Sequence, residues 1–203
     1  MIQLQQAPVK TQAIDSGSLV TQPWSRWYND LVAWITKRSS IAAVLASQKN
    51  TVTISNSSAE TTLLTAQIQP DICSDDTVIL GSIRGWISSD NPTAPNLVIS
   101  VKVGTTAIST VTIALAPSLV AQWFEYSFVA NLRGSGRAGK IMCSASVLGA
   151  LSTYHIQGSP QIADVVIDTT SKNTITISAQ FSAADSSNVL IAQNGYVKID
   201  NVA

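Results

Sequence analysis

This chain carries little charge. Only 12% of its 203 residues are charged, and the twelve basic and twelve acidic side chains cancel; an ordinary soluble domain is roughly a quarter charged. A formal net charge of zero removes the electrostatic case for nucleic acid or an anionic membrane as partner. Histidine is nearly absent too: His155 stands alone, so a triad or proton relay would rest on it entirely, and no G-x-S-x-G elbow accompanies it. We read it as a loop or strand-end residue. The two cysteines, Cys73 and Cys143, lack metal-ligand spacing; they are expected as buried small hydrophobes in strands, with a disulfide as the other reading. No apolar run approaches the roughly 20 residues that span a bilayer, so no membrane insertion is expected. The opening MIQLQQAPVK lacks the basic and apolar regions of a secretory signal, which leads us to expect synthesis in a cytoplasm without export by the usual route. No cofactor or metal is implied, and an enzyme is not expected.

What the chain does have falls into two parts. Residues 1–20 are polar and irregular and read as an arm. From Pro23 to about Arg38 the apolar residues Trp24, Trp27, Tyr28, Leu31, Val32 and Ile35 follow the i, i+3, i+4, i+7 spacing of an amphipathic helix, with Trp34 adding a third indole. Thr21 or Gln22 would cap it, Pro23 suits a first turn because its missing N–H would have no partner there, and Lys37 and Arg38 favour the C-terminal end of the dipole. Residues 41–46 would add a further turn or two. This aromatic stripe packs either onto the rest of the chain or against copies of itself or another protein; aromatics dominate interfaces because they bury much area at low entropic cost.

From Thr51 onward the period changes to two. Thr51–Ser55, Thr62–Gln69 and Thr77–Ile87 read as strands, and Leu97, Ile99, Val101 and Val103 alternate on one face before Gly104 permits a hairpin into Ala107–Leu115. Phe124, Tyr126 and Phe128 share a face, as do Ile141, Cys143, Ala145 and Val147, and then Ile175, Ile177, Ala179 and Phe181; Tyr196–Val202 closes the chain. Many short strands separated by turns and no helices between them predict an antiparallel, jelly-roll-like β-sandwich of eight to ten strands. A sheet-rich chain this poor in charge has few guards against edge pairing, and an oligomer or larger assembly would bury the exposed edges and faces.

The candidate chemistry is thin. Gly134 to Lys140 satisfies G-x4-G-K, but Ile141 stands where a magnesium-binding Ser or Thr belongs, and a strand follows where a helix N-terminus should receive phosphate. A glycine-rich hairpin turn is the better account. Asp75, Asp76, Asp90, Asp164, Asp168 and Asp185 all sit beside turns, where Asp serves local hydrogen bonding; a calcium site made from some of them is the competing reading, without EF-hand spacing. Trp86 and Trp123 lie within strands: exposed, they would stack on a sugar; buried, they would be core.

The C-terminal half resembles a module of bacteriophage fibre and virion surface proteins. The features come in order: the aromatic strand Trp123-Phe-Glu-Tyr-Ser-Phe, Leu132-Arg133 with the turn Gly136-Arg-Ala-Gly139, a long outgoing strand, Ile167-Asp-Thr-Thr170, Asn173-Thr-Ile-Thr-Ile, and Phe181-Ser-Ala-Ala-Asp-Ser-Ser-Asn188 before the closing strand. The helix from Gln22 to Leu31 is similar to segments that precede such modules. The resemblance implies a jelly-roll-like knob, usually homotrimeric, carried on a capsid or tail by an N-terminal anchor and bringing no catalytic residues. There is no long shaft, so a short knob is expected. On this reading residues 1–50 anchor and oligomerise through Trp24, Trp27, Tyr28, Leu31, Val32, Trp34 and Ile35, docking on capsid or tail proteins. Residues 51–203 form the knob, exposed on the virion surface, with Trp86 and Trp123 as ligand-facing residues towards a host-surface glycan. A capsid head fibre or decoration protein comes first; a tail or baseplate receptor-binding protein and a free carbohydrate-binding module are the alternatives.

Overall fold

The computed structural model describes residues 24, 26–29, 31, 43–70, 72–75, 77–90, 95–151, 156–159 and 164–201. The chain divides into two compact units, residues 1–41 with Ala203, and residues 42–202. In the first, Trp24, Arg26–Asn29 and Leu31 have helical backbone. Trp24 and Trp27, one turn apart, meet edge to face with ring centroids 5.5 Å apart, while Tyr28 is exposed. The expected stripe residues Val32, Trp34 and Ile35 lie outside the described residues, as does His155.

The second unit is built of antiparallel strands: β1 (Ala43–Ser47), β2 (Val52–Ser55), β3 (Thr61–Ile68), β4 (Thr77–Ser89), β5 (Asn96–Val103), β6 (Thr106–Ala114), β7 (Leu119–Gly134), β8 (Gly139–Gly149), β9 (Ile156–Ser159), β10 (Val165–Ile167), β11 (Asn173–Phe181) and β12 (Val189–Asn201). They form two sheets. The larger runs β1-β12-β4-β7-β8-β10, with β2 also on β12 and β9 also on β8; the smaller runs β3-β11-β5-β6. Four of the pairings are nested. The hairpin β5–β6 is innermost, followed outward by β4–β7, β3–β11 and β2–β12. Successive pairs alternate between the sheets, so the ribbon wraps one sheet over the other. Strand β8 extends the larger sheet beyond this ribbon.

Period-two alternation delivers the core. Ile79, Ile83 and Ile87 of β4, Phe124, Tyr126 and Phe128 of β7, and Ile141, Cys143 and Val147 of β8 are buried from the larger sheet. Leu97, Ile99 and Val101 of β5 and Ile175, Ile177 and Phe181 of β11 join the same cluster from the smaller one. Each large apolar side chain so removed from water contributes about 1.5–3 kcal/mol. The two-residue loop Gly104–Thr105 closes the β5–β6 hairpin with Gly104 at φ +59°, a positive angle that hairpin turns demand and glycine supplies without strain.

Two expectations are corrected. Ala43–Ser47 does not continue the helix; it is strand β1, paired with Tyr196–Ile199 of β12. Ala-Val-Leu-Ala has good helix propensity, but an open row of backbone partners along β12 outweighs a preference of a few tenths of a kcal/mol per residue, at most about 0.7. Cys73 is buried as expected but lies in the loop before β4. Both cysteines are free thiols.

Candidate functional site

The two outward faces of this sandwich differ in chemistry. On the smaller sheet the outward positions carry hydroxyls and a few polar side chains: Thr65 and Gln67 on β3, Thr174, Thr176 and Ser178 on β11, Ser100 on β5, and Thr110 and Thr112 on β6. They tie to one another, as in Ser100–Thr110 at 3.2 Å, and Glu60 joins Ser178 to Lys102. The larger sheet instead presents Val44, Trp86, Trp123, Val129, Leu148 and Tyr196 to solvent.

Trp86 and Trp123 are brought together. They are directly opposed residues on β4 and β7, which places their Cβ atoms about 5 Å apart. Their relative exposures of 42% and 39% decide the alternative left open by the sequence: both belong to the surface. One row along, Arg84 opposes Glu125 and its guanidinium donates to the carboxylate at 2.9 Å. That hydrogen bond, with the attraction of the carboxylate, raises the Arg84 pKa further above its ordinary value. Ser82 donates to the same carboxylate oxygen at 3.0 Å.

The Trp86 ring is held from a third strand. Its indole N–H donates to Gln193 Oε1 at 3.0 Å. Gln193 sits at a β-bulge in β12, where the register with β4 shifts between Ala192 and Asn194, so Gln193 and Asn194 are both exposed in succession. The bulge is built from both sides. On the outer edge, Gln48, in the gap between β1 and β2, donates its side-chain amide to Ala192 O and its backbone N–H to Gly195 O, each at 2.8 Å. On the inner side, Gly85 lets the Ile191 carbonyl approach; a Cβ there would lie 1.9 Å from that oxygen. A second irregularity precedes Trp123, where the β4–β7 register shifts between Ile87 and Ser89 and Ala121 takes a positive φ of 43° while donating its N–H to Ser88 Oγ at 3.0 Å. Bulges recur beside binding sites because the extra residue re-aims side chains, and a non-glycine residue at positive φ costs energy that surrounding structure must support.

Sequence reasoning named Trp86 and Trp123 but missed Gln193 and Glu125 and gave Arg84 no place beside them. The Gln193-Asn194-Gly195 stretch offered a signal, since Asn-Gly inside an alternating run marks an irregularity.

The glycine-rich stretch and two of the candidate acids serve structure. Gly134 to Lys140 is the β7–β8 turn, and two of its amides are engaged: Gly136 N–H donates to Thr169 Oγ1 at 2.7 Å and Gly139 N–H to Gly136 O at 3.2 Å. Asp168 uses one carboxylate oxygen to accept from the N–H and hydroxyl of Thr170 and the other to accept from Ser171 Oγ. These bonds, that from the Thr170 hydroxyl foremost, hold its pKa below the usual carboxylate value. Asp185 is held down in the same way by Ser187. Among the described residues no three His, Cys, Asp or Glu side chains gather where they would hold a metal ion, and no helix is long and apolar enough to cross a membrane.

No protein-family model matches the chain, and no curated protein matches it by sequence. Among solved structures it is similar to the CBM2 module of Lactobacillus casei BL23 phage J-1 evolved Dit, at 8% identity and a TM-score of 0.33, over 68% of this chain and 69% of that one. A likeness this loose transfers neither residues nor ligand.

Proposed function

We propose that this chain is a surface protein of a bacteriophage virion whose β unit is a jelly-roll knob that adheres to the host surface through the Trp86–Trp123 face. The reading that it binds and does not catalyse is supported by the structural roles of Asp168, Asp185 and the glycine turn. The nested ribbon supports the jelly-roll assignment, since a double sheet wrapped from one long antiparallel ribbon is that architecture. The ordered motifs from Trp123 to Asn188 support the virion setting. The observation that carries adhesion is the pair of half-exposed tryptophans at opposed positions on adjacent strands; aromatic side chains in a contiguous surface patch mark binding surfaces.

The N-terminal unit, with its edge-to-face Trp24 and Trp27, acts as anchor and oligomerising element, attached to capsid or tail proteins. Three knobs on one base would then turn weak single sites into firm attachment by effective concentration alone. A short capsid-borne head fibre or decoration is the first placement and a tail or baseplate fibre the second. The test is retention of the full chain on intact bacterial cells of several envelope types, wild type against the W86A/W123A double variant. Retention by at least one envelope, lost in the double variant, is the expected result. Retention that survives the double substitution, or none on any envelope, overturns adhesion through this face.

A further inference from the structure

We infer that the ligand of the Trp86–Trp123 face is an uncharged glycan, bound with a pyranose ring on the indoles and its edge hydroxyls on the Gln193 amide. This rests on the adhesion reading above and adds the chemical class of what is bound.

The argument begins with the amide. An indole N–H only donates, so the oxygen of Gln193 is the atom that faces Trp86, and its NH2 group points elsewhere with two donors. Among the described residues that nitrogen has no hydrogen-bond partner, and Asn194 next to it is exposed with a second amide. Half-exposed indoles with side-chain amides beside them suit a pyranose, whose axial C–H face is apolar and whose rim carries hydroxyls that both donate and accept. Large apolar area with a few placed polar groups is the general make-up of small-ligand sites.

Charge then selects within the class. The one cation in the neighbouring row, Arg84, is spent on Glu125 at 2.9 Å, so the ion pair offers hydrogen-bonding edges without net charge. The next cation along this face on β12 is Lys198, opposite Leu80. Leu80 is six residues from Trp86, about 20 Å at the rise of a strand, and charges beyond about 8 Å are largely screened at physiological salt. Among the described residues of β4, β7 and β12, the strands that carry the indoles and Gln193, no unpaired cation lies within two rows of the indoles, and an anion of a carboxylated or sulfated glycan buried there unpaired would cost affinity.

Native affinity electrophoresis of the full chain through gels containing defined polysaccharides tests this. The neutral probes are mixed-linkage β-glucan, galactomannan and α-mannan; the acidic probes are polygalacturonate and hyaluronate. At least one neutral polymer is expected to retard the wild type while neither acidic polymer does, with W86A or W123A abolishing retardation and Q193A weakening it about fivefold or more. E125Q supplies a second, independent readout, because it leaves the Arg84 charge uncompensated beside the indoles: it is expected to gain retardation by the acidic polymers. Retardation of the wild type by acidic polymers alone, or retardation by neutral ones that W86A/W123A leaves intact, overturns the inference. So does an absence of retardation by all of them. If tryptophan-dependent retention on cells persists in any of these cases, the adhesion reading stands and only the ligand class falls.

Discussion

Thr169 closes the turn at Gly136 from two directions. Its hydroxyl accepts the Gly136 N–H at 2.7 Å, and its own backbone N–H donates to the Gly136 carbonyl at 3.0 Å. A stretch that spells most of a phosphate loop is thereby fixed as a hairpin turn by a residue more than thirty positions away. The isosteric T169V variant keeps the packing and the backbone bond but removes the acceptor. We expect a loss of about 1 kcal/mol, the net worth of a typical intramolecular hydrogen bond, seen as a lower urea midpoint at unchanged slope. An unchanged midpoint would mean that the turn holds without Thr169.

The cysteines give a pH prediction. Burial pushes the Cys73 thiol up to about 11 and that of Cys143 up to about 12, whereas an unfolded thiol titrates near 9.0. The folded state therefore keeps protons that the unfolded state releases. The contribution to stability is fully present below pH 9 and declines as pH rises through the folded values. Because the thiolate is the reactive form, neither cysteine of the native protein should react with a disulfide reagent at pH 8 on the timescale of minutes, while both react at once in concentrated urea. Prompt reaction of a native thiol would contradict the burial on which this rests.

The oligomeric state follows from where the chain is cut. Strand β1 pairs with β12, so truncation belongs before Ala42; cutting at residue 51 would remove an edge strand and confuse unfolding with dissociation. Light scattering on the full chain is expected to give three times 21.4 kDa. If the helix oligomerises the protein, residues 42–203 will give a monomer with unchanged circular dichroism. A trimer that survives truncation would put the contacts in the knob and leave the helix as an anchor only. A monomeric full chain would remove the trimer and its multivalent adhesion.

Most of the second unit was legible because its strands are half-buried, and a period of two in hydrophobicity is the direct imprint of one wet and one dry face. Phe124, Tyr126 and Phe128 could be assigned to the core without knowing what they touch. β1 was not legible: its five residues have helical propensity, and only the open backbone of β12 makes them a strand. β9 and β10 are not legible either, because three or four residues on an edge carry too short a pattern to read.

The site divides in the same way. Local chemistry along the chain determined that Trp86 and Trp123 lie in strands and that Asp168 and Asp185 cap their own loops, since each depends on neighbours a few residues away. Only the tertiary structure decided that the two tryptophans oppose each other on the wet face, that Arg84 meets Glu125 forty-one positions on, and that Gln193 reaches Trp86 from a third strand. Strand order and register are properties of the closed sandwich, and a bulge that shifts register by one residue re-aims every side chain beyond it.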